Sequence, residues 1–193
     1  MANVAFVLAG DFEDSEFRVP YDEIKKAGHK VTVLGLERNA ELKGYHKKET
    51  VKVDDAVAGH NVNEFDALVI PGGYSPDHLR VHQPTVDFVR AFCQAGKIVA
   101  AVCHGPQLLI EAGEVKGRRM TSWPSVKTDL QNAGAHWLDE EVVEDGALIT
   151  SRRPSDLPAF ARTIIAALQT GSKEQLEEQA AAARRQSERA LTQ

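Results

Sequence analysis

Short apolar runs alternate along this chain with stretches of helical spacing. Val4 to Ala9 is apolar throughout and stops at Gly10, which predicts a strand buried on both faces. Glu16 to Ala27 places Phe17, Tyr21 and Ile24 on one helical face and closes at Gly28. Lys30 to Leu34 and Asp66 to Ile70 are further strands, the second stopped by Pro71-Gly72-Gly73. Thr85 to Ala95 predicts a helix with Val86, Val89 and Phe92 inward. Ile98 to Val102 is a buried strand, and Pro106 to Ala112 and Ser125 to Ala133 are helices ending at Gly113 and Gly134. Val142-Val143 and Ala147 to Ile149, joined by Glu144-Asp145-Gly146, predict a hairpin. Pro154 to Leu168 is a last core helix.

Strands of about five residues alternating with helices imply an α/β fold, with a mostly parallel sheet covered on both faces. Ligands in such folds bind beyond the carboxyl ends of the strands. The loops at 10–15, 71–76 and 103–106 are therefore where chemistry is expected. Residues 35–65 are polar, with Lys43, His46, Lys47 and Lys48 clustered, and predict a solvated surface around a short hairpin. After Gly171 the aromatics cease and Glu, Gln, Ala and Arg dominate. This predicts one domain over 1–170 and a charged, helix-prone tail over 171–193 with little to bury.

Composition narrows the classes. The 193 residues carry 23 Lys and Arg against 28 Asp and Glu, a formal charge of −5. A basic nucleic-acid scaffold is excluded, since phosphate binding needs a positive field. No run approaches the ~20 apolar residues of a membrane span. Two cysteines make no disulfide framework. A cytoplasmic protein with reduced thiols is the expectation.

The stretch Lys97 to Gln107, KIVAAVCHGPQ, carries the chemistry. An apolar strand runs straight into Cys103, and Gly105-Pro106 opens a helix. This is the layout of a nucleophile elbow, a tight strand-to-helix turn that pushes one side chain out of the sheet. The turn needs small residues two before and two after the nucleophile, and Ala101 and Gly105 stand there. The helix dipole behind the turn predicts an ionised Cys103. Cys93, inside an amphipathic helix, reads as a small core residue. The amides of Gly73, in the Gly72-Gly73 turn, and of His104 suit an oxyanion hole. His104 is the candidate acid/base, and Asp11-Phe12-Glu13-Asp14 supplies candidate carboxyls that burial would keep protonated. No metal set stands out: Asp77, His78 and His82 have the spacing of surface residues, and Arg80 beside them suits a subunit contact or a substrate carboxylate.

These residues together resemble the PfpI/ThiJ family of intracellular proteases, in the class I glutamine amidotransferase-like superfamily. The matching segments are Phe12-Glu13-Asp14, Phe65 to Gly73, Ala101 to Gln107, Gly117 to Pro124 and Asn132 to Ala135, and the likeness spans residues 3 to about 169. The resemblance implies a flavodoxin-like three-layer sandwich with Cys103 as nucleophile, His104 beside it and Glu13 as the glutamate that contacts the cysteine. It implies oxyanion amides at Gly73 and His104, no cofactor, and a homodimer or larger ring. In that assembly Asp77 stands where a neighbouring subunit's glutamate orients the histidine. Asp77 is one methylene shorter than the glutamate, and Trp123 stands where close relatives often carry tyrosine. The expected activity is cofactor-independent cysteine chemistry on reactive dicarbonyls or their protein and nucleotide adducts in stress protection. Peptidase activity is the alternative, and a redox sensor or chaperone using an oxidisable Cys103 is another. An amidotransferase is disfavoured, because its histidine is not expected next to the nucleophile.

Overall fold

The computed structural model describes residues 1–171. The chain runs β1 (Asn3–Val7), α1 (Asp14–Lys26), β2 (Lys30–Gly35), β3 (Glu41–Lys43), β4 (Thr50–Lys52) and β5 (Asp55–Ala56). It continues through β6 (Ala67–Ile70), α2 (Ser75–Leu79), α3 (Gln83–Gln94), β7 (Ile98–Val102), α4 (Pro106–Ala112) and β8 (Arg119–Met120). The last elements are α5 (Lys127–Asn132), β9 (His136–Trp137), β10 (Val142–Asp145), β11 (Leu148–Ser151) and a helix, α6, over 157–171. The expectation for the tail falls, apart from Gly171, outside the described residues.

The central sheet has seven strands in the order β10-β11-β7-β6-β1-β2-β5. It is parallel except where β10 returns on β11 as the expected hairpin. Alternation along each strand splits the core into two layers. Ala5 and Val7 of β1, with Val99 and Ala101 of β7, face Val86, Val89 and Phe92 of α3 and Leu108, Leu109 and Ala112 of α4. Val4 and Phe6, with Ala100 and Val102, face Phe17 and Ile24 of α1 and Leu157, Phe160, Ile164 and Leu168 of α6. Each of these large buried side chains contributes roughly 1.5–3 kcal/mol relative to exposure. Both faces are thus covered, and the three-layer sandwich that the alternation implies is the fold observed.

Two regions depart from the reading by pattern. The loop after β6 holds a short helix, α2, whose Pro76 sits in its first turn, where no amide hydrogen is needed. Residues 35–65 form the β3–β4 hairpin and also send β5 to the sheet edge beside β2. Two residues are too few to leave a periodic signal.

Strands β7, β6 and β1 are adjacent and parallel, so their carboxyl ends open on one edge of the sheet. The three loops that follow them meet there.

Candidate active site

Cys103 leaves β7 with a backbone φ of +62°, in the left-handed region that non-glycine residues seldom adopt. Such a conformation costs on the order of 1–3 kcal/mol and persists only where the surroundings impose it. Here the Cys103 N–H donates to Ser151 O at 3.0 Å, its carbonyl accepts from Trp123 N–H at 3.0 Å, and Gly105 N–H donates to Val102 O at 2.8 Å. A Cβ at Gly105 would lie 2.6 Å from Ile70 O and 2.9 Å from Val102 O. The elbow therefore closes only with glycine at that position.

The sulfur sits at the floor of a cavity of about 350 Å³. The walls include Glu13, Glu16, Tyr45, His46, Gly73, Tyr74, His104 and Trp123. Cys103 itself is only 6% exposed. His104 Nδ1 lies 3.2 Å from Cys103 Sγ, and its Nε2 lies 3.3 Å from Ser125 Oγ. Trp123 stacks against the same ring at 6.4 Å between centroids and 25° between planes. Burial holds the His104 pKa below its ordinary value. A neutral imidazole in this place can accept a proton at one nitrogen and donate at the other.

The carboxyl beside the sulfur is Glu16, not Glu13. Glu16 is fully buried, interacts directly with Cys103, and accepts from Gly72 N–H at 2.9 Å through Oε2. Its Oε1 has no conventional hydrogen-bond partner among the described residues. Burial pushes the Glu16 carboxyl up to about 8, and the nearby Glu13 adds to the rise. Glu13 is the N-cap of α1: its side chain accepts from Glu16 N–H at 2.9 Å, with His46 Nε2 at 3.7 Å. Glu13 thus lines the cavity and holds the start of α1, and one helical turn later the chain delivers Glu16 to Cys103. A periodic signal for this was present: Glu16, Pro20 and Ile24 stand four apart and are all buried.

The Gly72-Gly73 turn brings the loops together. A Cβ at Gly72 would lie 2.5 Å from Glu16 Oε2, 2.8 Å from Cys103 Cβ and 3.0 Å from His104 N. Gly73 has φ +72°, and a Cβ there would lie 2.4 Å from Glu13 N. The backbone N–H groups of Gly73 and His104 both point at Cys103, where they favour its anion.

The ionised sulfur expected from the helix dipole needs correction. Burial pushes the Cys103 thiol up, and an ionised Glu16 pushes it further. The helix gives little help, since Gln107 N–H and Leu108 N–H, at its start, donate to His104 O and Gly105 O. The Gly73 and His104 amides work in the opposite direction. Burial also pushes Cys93 up, to about 12, as suits a core thiol.

Asp77 is exposed on α2, and the hydrogen-bond partners of the His104 ring among the described residues are Cys103 and Ser125. Within one chain Asp77 does not complete a triad. His78 Nε2 lies 3.6 Å from Asp11 Oδ2, His82 Nδ1 lies 2.9 Å from Thr85 Oγ1, and Arg80 pairs with Glu111. No group of three His, Cys, Asp or Glu among the described residues is arranged to hold a metal ion. No described helix is long and apolar enough to cross a membrane.

Glu16, Tyr45, His46, Tyr74 and Ser125 are site residues that the motifs did not indicate. Tyr45, His46 and Tyr74 arrive on polar loops, where periodicity carries no information. In the sequence Ser125 marks only the start of a helix.

Comparison with known proteins places this geometry. The profile of the DJ-1/PfpI family matches residues 2–167. The chain is 46% identical over 160 residues to "Protein/nucleic acid deglycase 2" of Escherichia coli, covering 82% of this chain and 93% of the relative. It is 46% identical over 167 residues to "General stress protein 18" of Bacillus subtilis, covering 86% and 97%. Among solved structures, a two-domain protein of Anabaena variabilis with DJ-1/ThiJ/PfpI-like and ferritin-like domains aligns with a TM-score of 0.87 and 43% identity. That alignment covers 88% of this chain and 48% of the longer one.

Proposed function

This chain belongs to the DJ-1/PfpI family, and from that premise we propose that it is a cofactor-independent cysteine enzyme acting on reactive dicarbonyls or their adducts on proteins and nucleotides. The observation that carries the proposal is the convergence of a thiol, a buried carboxyl, an imidazole and two backbone N–H groups at the floor of one small cavity. The 46% identity to a relative named as a deglycase supports it.

The chemistry follows from the residues. In the reactive state Glu16 holds a proton and hydrogen-bonds the sulfur, whose charge is then stabilised by the Gly73 and His104 amides. The thiolate adds to the aldehyde carbon, forming a C–S bond and moving the carbonyl pair onto oxygen, which takes up a proton. The hemithioacetal then needs a proton carried from the sulfur-bearing carbon to its neighbour, while its hydroxyl gives up a proton and the neighbouring carbonyl oxygen takes one. Glu16 and His104 flank the sulfur and are the two carriers. This gives a thioester, which water cleaves to release the hydroxy acid and return the thiol.

A peptidase is the second reading. It asks for an extended cleft and a well-oriented triad, whereas this cavity is near the small end of the usual range of roughly 300–1,000 Å³. We assign the protein to the cytoplasm, in stress protection, as a homo-oligomer in which Asp77 approaches the partner subunit's His104.

Cys103→Ala is expected to abolish consumption of methylglyoxal and of a glycated thiol, with the melting temperature within about 2–4 °C of the wild type, as for a change near 1 kcal/mol in a chain of this size. Undiminished turnover by that variant would remove Cys103 from the mechanism.

A further inference from the structure

The helix that delivers Glu16 carries a second buried carboxylate with a different task. We propose that Asp14 is a positioning residue for substrate binding: its carboxylate folds the 44–49 turn onto the start of α1 and so sets Tyr45 and His46 as the outer wall of the Cys103 cavity. The proposal rests on the functional reading above and names the residue that shapes the mouth of that site.

Asp14 is 5% exposed and does not touch the sulfur. Its Oδ1 accepts from Lys48 N–H at 2.8 Å and Glu49 N–H at 2.7 Å, and its Oδ2 accepts from His46 N–H at 2.8 Å. Three backbone donors from one turn thus converge on one carboxylate. Burial alone would raise its pKa, but these bonds outweigh burial and hold the group below the ordinary carboxylate range. The fit is close: a Cβ at Gly44 would lie 2.4 Å from Asp14 Cγ. The turn is pinned at both ends as well, by Tyr45 N–H donating to Phe12 O at 2.7 Å and by Arg18 Nε donating to Glu49 Oε2 at 3.1 Å.

What this turn presents faces the substrate. Tyr45 and His46 line the same cavity as His104 and Trp123, and the Tyr45 ring centroid lies 5.5 Å from that of Tyr74. Without Asp14 three amides of the turn would have no acceptor, and only its end contacts, Tyr45 N–H to Phe12 O, Gly44 N–H to Glu49 O and Arg18 to Glu49, would be left to shape the wall. The lysines beside it, Lys43, Lys47 and Lys48, are exposed and play no part in the argument.

The test reads the wall without depending on turnover. Cys103 of the full chain is alkylated by iodoacetamide and, separately, by a bulky N-aryl maleimide, and peptide mapping separates Cys103 from Cys93. In Asp14→Asn the ratio of bulky to small reagent rates is expected to rise about tenfold, the scale of one lost charge-assisted hydrogen bond. In Tyr45→Ala/His46→Ala, which alters only exposed side chains, the ratio rises similarly, and adding Asp14→Asn to that pair raises it no further. With a glycated thiol as substrate, KM rises in each variant while kcat moves by less than about twofold, the pattern of lost binding rather than lost chemistry. An unchanged reagent ratio in Asp14→Asn, or in Tyr45→Ala/His46→Ala should the former not fold, overturns the proposal. So do additive effects in the triple variant. A wild type that turns over no adduct at all removes the functional reading instead, and leaves the reagent ratio to judge the wall.

Discussion

Two carboxyls two residues apart in the first turn of α1 are pushed in opposite directions by their surroundings. Asp14 accepts three backbone N–H groups and is held ionised. Glu16 accepts one, has an oxygen without a conventional partner, and is pushed by burial up to about 8. Splitting of this kind assigns roles: the ionised group builds, and the protonated group works in proton transfer. It also makes stability depend on pH. A carboxyl whose pKa rises on folding binds more protons in the native state than in the unfolded one. Its contribution is therefore complete below about 4.5 and is lost as pH climbs to about 8. Chemical denaturation of the wild type and Glu16→Gln across pH 4–9 is expected to show the wild type losing ground to the variant through that window. Parallel curves would mean that Glu16 does not titrate in it.

At the level of elements, the elbow depends on how closely β7, β6 and the start of α4 approach one another. Gly105→Ala is expected to cost more than about 2 kcal/mol, because the added carbon meets two backbone carbonyls rather than a side chain that can turn away. Urea unfolding of that variant measures the cost, and a loss below about 0.5 kcal/mol would show that the backbone yields. The elements behind this site were largely legible in the sequence. Val4 to Ala9, Asp66 to Ile70 and Ile98 to Val102 read as buried strands because both faces of a central parallel sheet are covered. The order of small residues around Cys103 announced the turn. What stayed hidden was tertiary. Glu13 and Glu16 are equally acidic in sequence, and only the angle at which α1 meets the sheet decides which of them reaches the sulfur. Tyr45 and His46 belong to a polar segment whose place is set by Asp14, 32 residues away from His46 in sequence. The helix dipole suggested an ionised thiol, but burial acts the other way, and Glu16 opposes the anion when ionised and favours it only while it keeps its proton.

For the whole molecule, the proposed role of Asp77 makes the complete site a property of two chains. Within the chain His104 finds Ser125, while Asp77 stands exposed on α2. If Asp77 serves the neighbouring subunit, two defective variants should repair each other. Cys103→Ala and Asp77→Ala, mixed and allowed to exchange subunits, form hybrids in which an intact Cys103 faces an intact Asp77. Activity of the mixture above the sum of its separated parts is the expected outcome. A strictly additive mixture would confine Asp77 to its own chain, with sedimentation verifying that hybrids had formed.

Throughout, the reactivity of Cys103 is made to depend on a proton kept by Glu16. The direct measurement is the pH dependence of Cys103 alkylation in the wild type, Glu16→Gln and Glu16→Leu. Glutamine still donates a hydrogen bond and leucine does not. The account predicts a midpoint for Glu16→Gln within about one pH unit of the wild type, and one for Glu16→Leu raised by more than about one unit, equivalent to the loss of ~1.4 kcal/mol of anion stabilisation. A midpoint that falls in Glu16→Leu would mean that Glu16 is ionised beside the sulfur and repels its charge, and would contradict the account.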